Sequence, residues 1–230
     1  MQVIGLIGGT TWLSTIDYYR FINEAVAARL GGLHSAKILL YSVDFGEIVA
    51  AEQQGQLATE VDILCDAASR LQRGGAQLIA LCANTAHVFA DVVSHATTLP
   101  LIDIRDALAQ ALNAAKLPSV AILSTQRTRA AGLFDERFAQ AVGCDVLWPN
   151  SAEQQAVDSW IREGAQQGGF SAEHTAALTQ LINRLASRGA KGVVLACTEL
   201  PIMLADSNTD LPLFDTTRLH AKAIVDAALA

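Results

Sequence analysis

The chain has 230 residues, of which 51% are hydrophobic and 17% charged, so it can bury a substantial core in one domain or in two small halves. Its formal net charge of −7 argues against a nucleic-acid partner, because binding to phosphate backbones needs clustered Lys and Arg. No apolar segment approaches the roughly 20 residues that span a bilayer, and no basic secretory-signal region opens the sequence, so we expect a soluble, cytoplasmic protein without a membrane partner.

Short apolar segments typical of strands alternate with helical patterns along the chain. The first half has predicted strands and helices in alternation, at residues 3–7, 14–30, 38–43, 59–73, 78–82 and 86–93. The second half has predicted strands at residues 120–123, 145–147 and 192–196, with a predicted helix at residues 129–142 and further helices up to Leu185. This alternation predicts an α/β fold with a parallel sheet.

The second half of the sequence repeats the first. Residues 70–81 align without gaps with residues 184–195. The Leu-Pro-Leu-Ile-Asp of residues 99–103 returns as Leu-Pro-Leu-Phe-Asp at residues 211–215. We therefore expect two pseudo-symmetric Rossmann-like halves, each a mainly parallel sheet flanked by helices.

The repeat also suggests where the halves divide. The expected N-terminal half covers residues 1–98 plus about 211–230, and the expected C-terminal half covers residues 99–210. Ligands in open parallel sheets bind beyond the carboxyl ends of the strands, which predicts an active site in the cleft between the halves.

Four predicted strand ends carry side chains suited to holding a carboxylate, at residues 8–11, 82–85, 124–126 and 197–199. Each is followed by a helical pattern, whose first N–H groups can add to the binding. Gly8-Gly9 lacks the spacing of a dinucleotide or P-loop motif, and no Lys follows as a phosphate ligand, so we predict no nucleotide cofactor.

The four cysteines are Cys65, Cys82, Cys144 and Cys197, and no pair has the CxxC spacing of zinc or redox sites. Free thiols are therefore expected in a reducing compartment. Cys65 and Cys144 are interpreted as small buried side chains without a chemical role. The histidines show no metal-ligand spacing, so we predict no metal.

The segments after two of the strands resemble the paired signatures of the aspartate/glutamate racemase family. Asn84-Thr85-Ala86-His87 follows one strand, and Ala196-Cys197-Thr198-Glu199-Leu200 follows its partner in the repeat. The resemblance spans nearly the whole chain, with further matches at Gly8-Gly9, Trp12, Ser14-Thr15, Tyr18-Tyr19 and residues 32–36. It implies a homodimeric amino-acid racemase that uses neither pyridoxal phosphate nor a metal.

The resemblance also implies a mechanism in which two cysteines flank the α-carbon, one removing its proton as a thiolate and the other donating a proton to the opposite face. Cys197 matches one of them, and the helix N-terminus predicted after it is expected to lower the pKa of its thiol. The other position, immediately before Asn84, is occupied by Ala83. The repeat pairs the same two positions, because the alignment of Leu81 with Leu195 extends to Ala83 and Cys197.

Two neighbouring residues are interpreted as structural. Cys82 precedes Ala83 on one predicted strand, and successive strand residues point to opposite faces, so Cys82 should point away from the site. His87 lies in the first turn of the next helix, where packing is the preferred interpretation.

Substrate choice departs from the acidic-amino-acid members of the family, which commonly place cationic side chains against the distal carboxylate in two segments. Here residues 49–54 and 164–168 contain no Arg or Lys. Glu52 would repel a distal carboxylate, so aspartate is less favoured than family membership alone suggests. The alternative that Glu52 is a solvated helix residue stays open.

The predicted function is a cofactor-independent amino-acid racemase with Cys197 as its base and Ala83 in place of the second cysteine. The alternatives are a single-cysteine lyase or isomerase, as arylmalonate decarboxylases and maleate isomerases suggest, and a non-catalytic amino-acid-binding homologue. The candidate substrate-binding residues are Thr10, Thr11, Glu52, Asn84, Thr85, Thr125, Gln166, Thr198 and Glu199.

Overall fold

The computed structural model describes residues 1–167, 169–205 and 209–230, with the side chains of all of these except residues 136, 137 and 165–167. The chain packs as two compact units, residues 1–104 with 217–230, and residues 105–216. Each unit is built on its own parallel sheet, with strand order β2-β1-β3 in the first and β5-β4-β6-β7 in the second. The predicted α/β class with two parallel sheets flanked by helices is confirmed.

The elements follow one another in this order: β1 (Ile4–Gly8), α1 (Trp12–Leu30), β2 (Ile38–Ser42), α2 (Phe45–Gln53), α3 (Leu57–Arg73), β3 (Leu78–Leu81), a 3₁₀ helix (Thr85–Phe89), α4 (Ala90–His95), α5 (Ile104–Ala115), β4 (Ser119–Ser124), α6 (Gln126–Ala130), α7 (Glu136–Val142), β5 (Asp145–Leu147), α8 (Ser151–Gln167), α9 (Ala172–Ser187), β6 (Val193–Ala196), α10 (Glu199–Met203), β7 (Leu213–Asp215) and α11 (Thr216–Leu229). In the described residues, no helix has the length and apolar character needed to cross a bilayer.

Side chains of the first sheet alternate between two apolar clusters, as the two-residue period of a strand requires. Leu78, Ala80 and Cys82 pack in one cluster with residues of α1 and α11, whereas Ile79 and Leu81 pack in the other with residues of α3. Cys82 is fully buried, so its predicted structural role agrees with its position. Burial of such side chains on both faces is the main favourable term for this unit.

The second sheet repeats the strand order and pairing of the first. Ile4 pairs with Leu78 across β1 and β3, and β4 pairs in parallel with β6 in the same central position. One face of this sheet is covered by α8, α9 and α10 through a shared apolar cluster. The repeat found in the sequence is therefore a repeat of strand pairing.

The boundaries between the units lie later in the chain than the sequence predicted, at residues 104/105 and 216/217 rather than 98/99 and about 210/211. The reason is backbone pairing. Leu101 forms a parallel bridge with Ile79, and Leu213 pairs with Val193 as part of β7. Each Leu-Pro-Leu segment therefore pairs with the sheet of its own half before the chain leaves it.

One predicted helix is divided in the structure. The stretch expected as a single helix at residues 129–142 forms α6 and α7. Gly132 follows α6 with φ of +72°, in the left-handed region that favours glycine, and its N–H donates to the Arg129 carbonyl. That turn ends α6 early.

A buried polar group on α11 anchors that helix to the first unit. The His220 Nε2–H donates to the Ile102 carbonyl over 2.7 Å, so the unprotonated Nδ1 accepts from the Tyr18 hydroxyl, also over 2.7 Å. The His87 ring packs against His220 with centroids 5.0 Å apart. Burial, with His87 as a secondary cause, lowers the pKa of His220 to about 3, so the ring is neutral in the folded protein.

The neutral His220 makes stability depend on pH in a predictable direction. Below pH 6.5, the ordinary pKa of histidine, His220 binds a proton in the unfolded chain but stays neutral in the folded chain. The free energy of unfolding therefore falls as pH falls. We expect this group to contribute a slope of about 1.4 kcal/mol per pH unit between pH 6.5 and about 3. Urea unfolding followed by tryptophan fluorescence at pH 7.5, 6.5 and 5.5 measures the slope.

The matched variant is His220→Gln, which can still donate and accept hydrogen bonds but does not titrate. This substitution should lower the free energy of unfolding by about 1–3 kcal/mol at pH 7.5. Between pH 7.5 and 5.5, the free energy of unfolding should decline less steeply in the variant than in the parent. Equal slopes in parent and variant would show that His220 is not the titrating group.

Candidate functional site

The loop after β1 has a shape that only glycine allows. Gly9 has φ of +95°, and a Cβ there would lie 2.1 Å from the Val43 carbonyl oxygen. Its N–H donates to the Thr15 hydroxyl over 2.9 Å. Thr11 then caps α1 by accepting from the Ser14 N–H at 3.4 Å. Thr10, which is half-buried, lies between Gly9 and Thr11.

Ser14 joins two strand ends of the first unit. Its hydroxyl lies 2.9 Å from the Thr11 carbonyl and 3.0 Å from the Cys82 carbonyl, and the side chain is buried. The loop after β1 and the end of β3 are therefore held side by side. We noted Ser14 in the sequence only for its resemblance to the family, and its position three residues after the cap Thr11 was the signal for a structural role.

The end of β3 carries amide and hydroxyl side chains, and the position equivalent to Cys197 is Ala83. Ala83 and Thr85 are half-buried and Asn84 is buried, at the start of the 3₁₀ helix. The buried His87 donates from Nδ1 to the Ala83 carbonyl over 2.8 Å, so it supports this turn by packing, as predicted. Burial raises the pKa of the Cys82 thiol, and that side chain lies in the apolar cluster of α1 and α11.

The loop after β4 repeats the loop after β1. Thr125 caps α6 and accepts from the Thr128 N–H at 3.2 Å, as Thr11 does from Ser14. The Thr125 and Thr128 hydroxyls are also hydrogen-bonded, at 3.0 Å. Ser124 pairs with Ala196 across β4 and β6, so Thr125 and Cys197 follow directly at the same sheet edge.

Cys197 begins a compact hydrogen-bonded group. Its Sγ–H donates to Glu199 Oε2 over 2.9 Å, and the Thr198 hydroxyl donates to the same oxygen over 2.8 Å. All three side chains are half-buried. This places a thiol, a carboxylate and a hydroxyl within direct contact at the end of β6.

The predicted net lowering of the Cys197 pKa is wrong, although the Glu199 backbone N–H at the start of α10 does act in the lowering direction. Burial first, and the Glu199 carboxylate second, raise that pKa well above its ordinary value, and Asp158 adds to the effect. The helix after Cys197 has only five residues and begins with Glu199 itself. The Cys197 side chain is therefore a neutral thiol that is hydrogen-bonded to Glu199.

Asp158 of α8 is a site neighbour that the sequence analysis missed. Its Oδ1 accepts from the Gln126 N–H over 2.9 Å, across 32 residues of sequence. Its carboxylate also acts on the Cys197 thiol. No local pattern marks Asp158, since its importance comes from the packing of α8 against the loop after β4.

Glu52 and Gln166 are the two remaining predicted substrate-binding residues. Glu52 lies exposed near the end of α2. The side chain of Gln166 lies outside the residues that the structure describes. Over the described ranges, no three His, Cys, Asp or Glu side chains are arranged so that they could hold a metal ion.

Replacing Glu199 with Gln should make Cys197 more reactive. The neutral amide removes the negative charge that raises the thiol pKa, so the thiolate forms at lower pH. We expect iodoacetamide to alkylate Cys197 several-fold faster at pH 8 in Glu199→Gln, measured on the isolated peptide by mass spectrometry. Glu173→Gln, an exposed acid on α9, is the control. If alkylation of Cys197 depended on pH in Glu199→Gln as it does in the parent, Glu199 would not be a cause of the raised thiol pKa.

Comparison with known proteins gives the family of the chain. A family model described as Asp/Glu/hydantoin racemase matches residues 7–224. The broad specificity amino-acid racemase RacX of Bacillus subtilis is 28% identical over 168 residues, covering 73% of this chain and 71% of RacX.

Solved structures cover the whole chain. A structure from Yersinia pestis, described as a candidate Asp/Glu racemase, is 39% identical with a TM-score of 0.92, and 100% of each chain is covered. An aspartate racemase homologue from Pyrococcus horikoshii is 29% identical with a TM-score of 0.89, again over 100% of each chain. The chain therefore belongs to the Asp/Glu/hydantoin racemase family, whose members are isomerases.

Proposed function

We propose that this protein is a cofactor-independent amino-acid racemase that exchanges the α-proton of its substrate through Cys197. The observation that carries the proposal is the Cys197–Glu199 hydrogen bond of 2.9 Å at the end of β6. A thiol beside a carboxylate can pass its proton on and then take another from carbon. RacX is named a broad specificity amino-acid racemase, which supports an amino-acid substrate.

The proposed step moves two protons. Glu199 accepts the proton of the Cys197 thiol, and the resulting thiolate removes the α-proton of the bound amino acid, leaving a carbanion stabilised by its carboxylate. The reverse transfer returns a proton to the same face. Thr198 donates to the Glu199 oxygen that receives the thiol proton, which holds that carboxylate in place.

Binding of the substrate carboxylate is assigned to the hydroxyl and amide groups at the strand ends. In the first unit these are Thr10, Thr11, Asn84 and Thr85, and in the second unit they are Thr125 and Thr198. Such groups suit a carboxylate because each can donate a hydrogen bond to it. Glu52 and Gln166 remain proposed contacts for the substrate side chain.

Ala83 is expected to limit proton delivery to the opposite face of the α-carbon. A methyl group can neither donate nor accept a proton, so delivery to the opposite face depends on water or another donor. We therefore propose an enzyme that exchanges one enantiomer well and inverts it slowly. The proposal places the protein in the cytoplasm as a homodimer, and sedimentation at micromolar concentration tests the assembly.

The single thiol also favours a second candidate function. One cysteine is enough to protonate one face of an enolate, as in a decarboxylase or a maleate-type isomerase. Consumption of a dicarboxylic acid that has no amino group would favour this reaction. A non-catalytic homologue would instead bind amino acids, raising its melting temperature, while every exchange assay stays blank.

The deciding experiment is α-proton exchange in deuterated water, followed by NMR over a panel of L- and D-amino acids. We expect exchange from one enantiomer in the parent, reduced at least about 100-fold in Cys197→Ala because the base is lost. Glu199→Gln should also slow exchange, although it speeds alkylation. Ala83→Cys should add exchange from the other enantiomer.

Cys65→Ala is the matched control for thiol loss, since Cys65 is half-buried on α3 and packs against the apolar cluster there. It should keep the parent rate. Exchange that survives in Cys197→Ala, or a parent that exchanges no amino acid of the panel, would refute the proposed reaction.

A further inference from the structure

Two half-buried carboxylates near Cys197 have no cationic partner. In the described part of the chain, neither Asp158 nor Glu199 forms an ion pair, and Glu199 accepts only from Cys197 and Thr198. By contrast, another half-buried acid of the same helix is paired with cations. Glu153, also on α8, binds Arg184 and Arg188. Two uncompensated negative charges at one sheet edge favour a positively charged ligand.

Asp158 is held in a defined orientation beside the loop after β4. Its Oδ1 is used by the Gln126 N–H at 2.9 Å. Its Oδ2 has only the Gln154 Nε2 at 3.5 Å, the limit of a hydrogen bond, and that nitrogen lies closer to the Ser124 carbonyl, at 2.8 Å. One carboxylate oxygen therefore keeps most of its capacity to accept.

Gln154 provides an independent sign of a missing donor. The side chain is 2% exposed, and its Oε1 has no hydrogen-bond partner among the described residues. A buried acceptor without a donor is costly, and native structures rarely retain one unless a ligand or water completes it. Among the described residues, the corner formed by Asp158 and Gln154 thus combines negative charge with two acceptor atoms, Asp158 Oδ2 and Gln154 Oε1, whose capacity to accept is largely unused.

We infer that Asp158 binds the α-ammonium group of the substrate and thereby restricts the enzyme to amino acids. The inference rests on the proposed function and names the part of the substrate that the second unit recognises. An ammonium group supplies three N–H donors and one positive charge, which match the free Oδ2 and the uncompensated acids. A dicarboxylic acid without an amine would bring further negative charge to Asp158 and Glu199 and be repelled.

A purely structural role for Asp158, holding Gln126 in place, makes a different prediction. Asp158→Asn keeps a carbonyl oxygen that accepts from the Gln126 N–H but has no charge. If orientation of the loop is the only role, this variant should bind every ligand as the parent does. If the charge binds an ammonium group, only ligands with an amine should lose affinity.

The test compares three pairs of ligands that differ only in the amino group: L-alanine with L-lactate, L-aspartate with L-malate, and L-glutamate with L-2-hydroxyglutarate. Dissociation constants are measured by titration calorimetry on the full chain. We expect the parent to prefer the amino acid of at least one pair by tenfold or more. Asp158→Asn should lose about tenfold in affinity for that amino acid and nothing for its hydroxy acid.

Two further variants control for charge and fold. Asp145→Asn removes one acid from the exposed start of β5, at the opposite end of the strands, and should leave the preference unchanged. Asp158→Glu keeps the charge and should retain a preference for the amine. Melting temperatures of all variants show whether they are folded.

The inference is overturned if Asp158→Asn weakens both members of a pair equally, if it weakens neither, or if the parent binds no amino acid of the three pairs. Its failure is separable from failure of the proposed reaction. A parent that prefers amino acids through Asp158 but exchanges no α-proton supports the inference and refutes the racemase. Exchange that depends on Cys197 but not on the charge at position 158 supports the racemase and refutes the inference.

Discussion

Parallel pairing of the central strands determines where the strand-end groups of the candidate site lie in each sheet. β1 pairs in parallel with β3, and β4 with β6, so the strand ends that carry Thr11, Asn84, Thr125 and Cys197 are at the carboxyl edge of their own sheets. The first unit reinforces this arrangement through Ser14, whose hydroxyl contacts the carbonyls of both strand ends. Within each sheet, hydrogen bonds of the ladder thus bring segments that are distant in sequence to neighbouring positions.

The two halves keep the same scaffold but differ in chemistry. Thr11 with Ser14 and Thr125 with Thr128 are the same cap in two copies, whereas the equivalent positions 83 and 197 hold an alanine and a cysteine. The second half keeps a neutral thiol that is hydrogen-bonded to Glu199. In the proposed reaction, the basicity of Cys197 is available only when Glu199 takes the thiol proton.

Electrostatics near Cys197 serve two purposes in this interpretation. Burial, followed by the negative charges of Glu199 and Asp158, raises the pKa of the Cys197 thiol and opposes thiolate formation. The same charges favour an ammonium group, and a bound cation would offset part of the penalty on the thiolate. Substrate binding and activation of the base would then be coupled through charge.

Local patterns in the sequence were enough to predict the alternation of strands and helices, the duplication, the position of Cys197 at a strand end and the alanine at position 83. These features depend on side-chain periods and on the order of residues along the chain. Three other properties became visible in the folded chain alone: the sheet that receives residues 211–216, the hydrogen bond of Asp158 to the loop at Gln126, and the raised pKa of Cys197. Those properties arise from contacts between segments far apart in sequence and from burial, which no local pattern encodes.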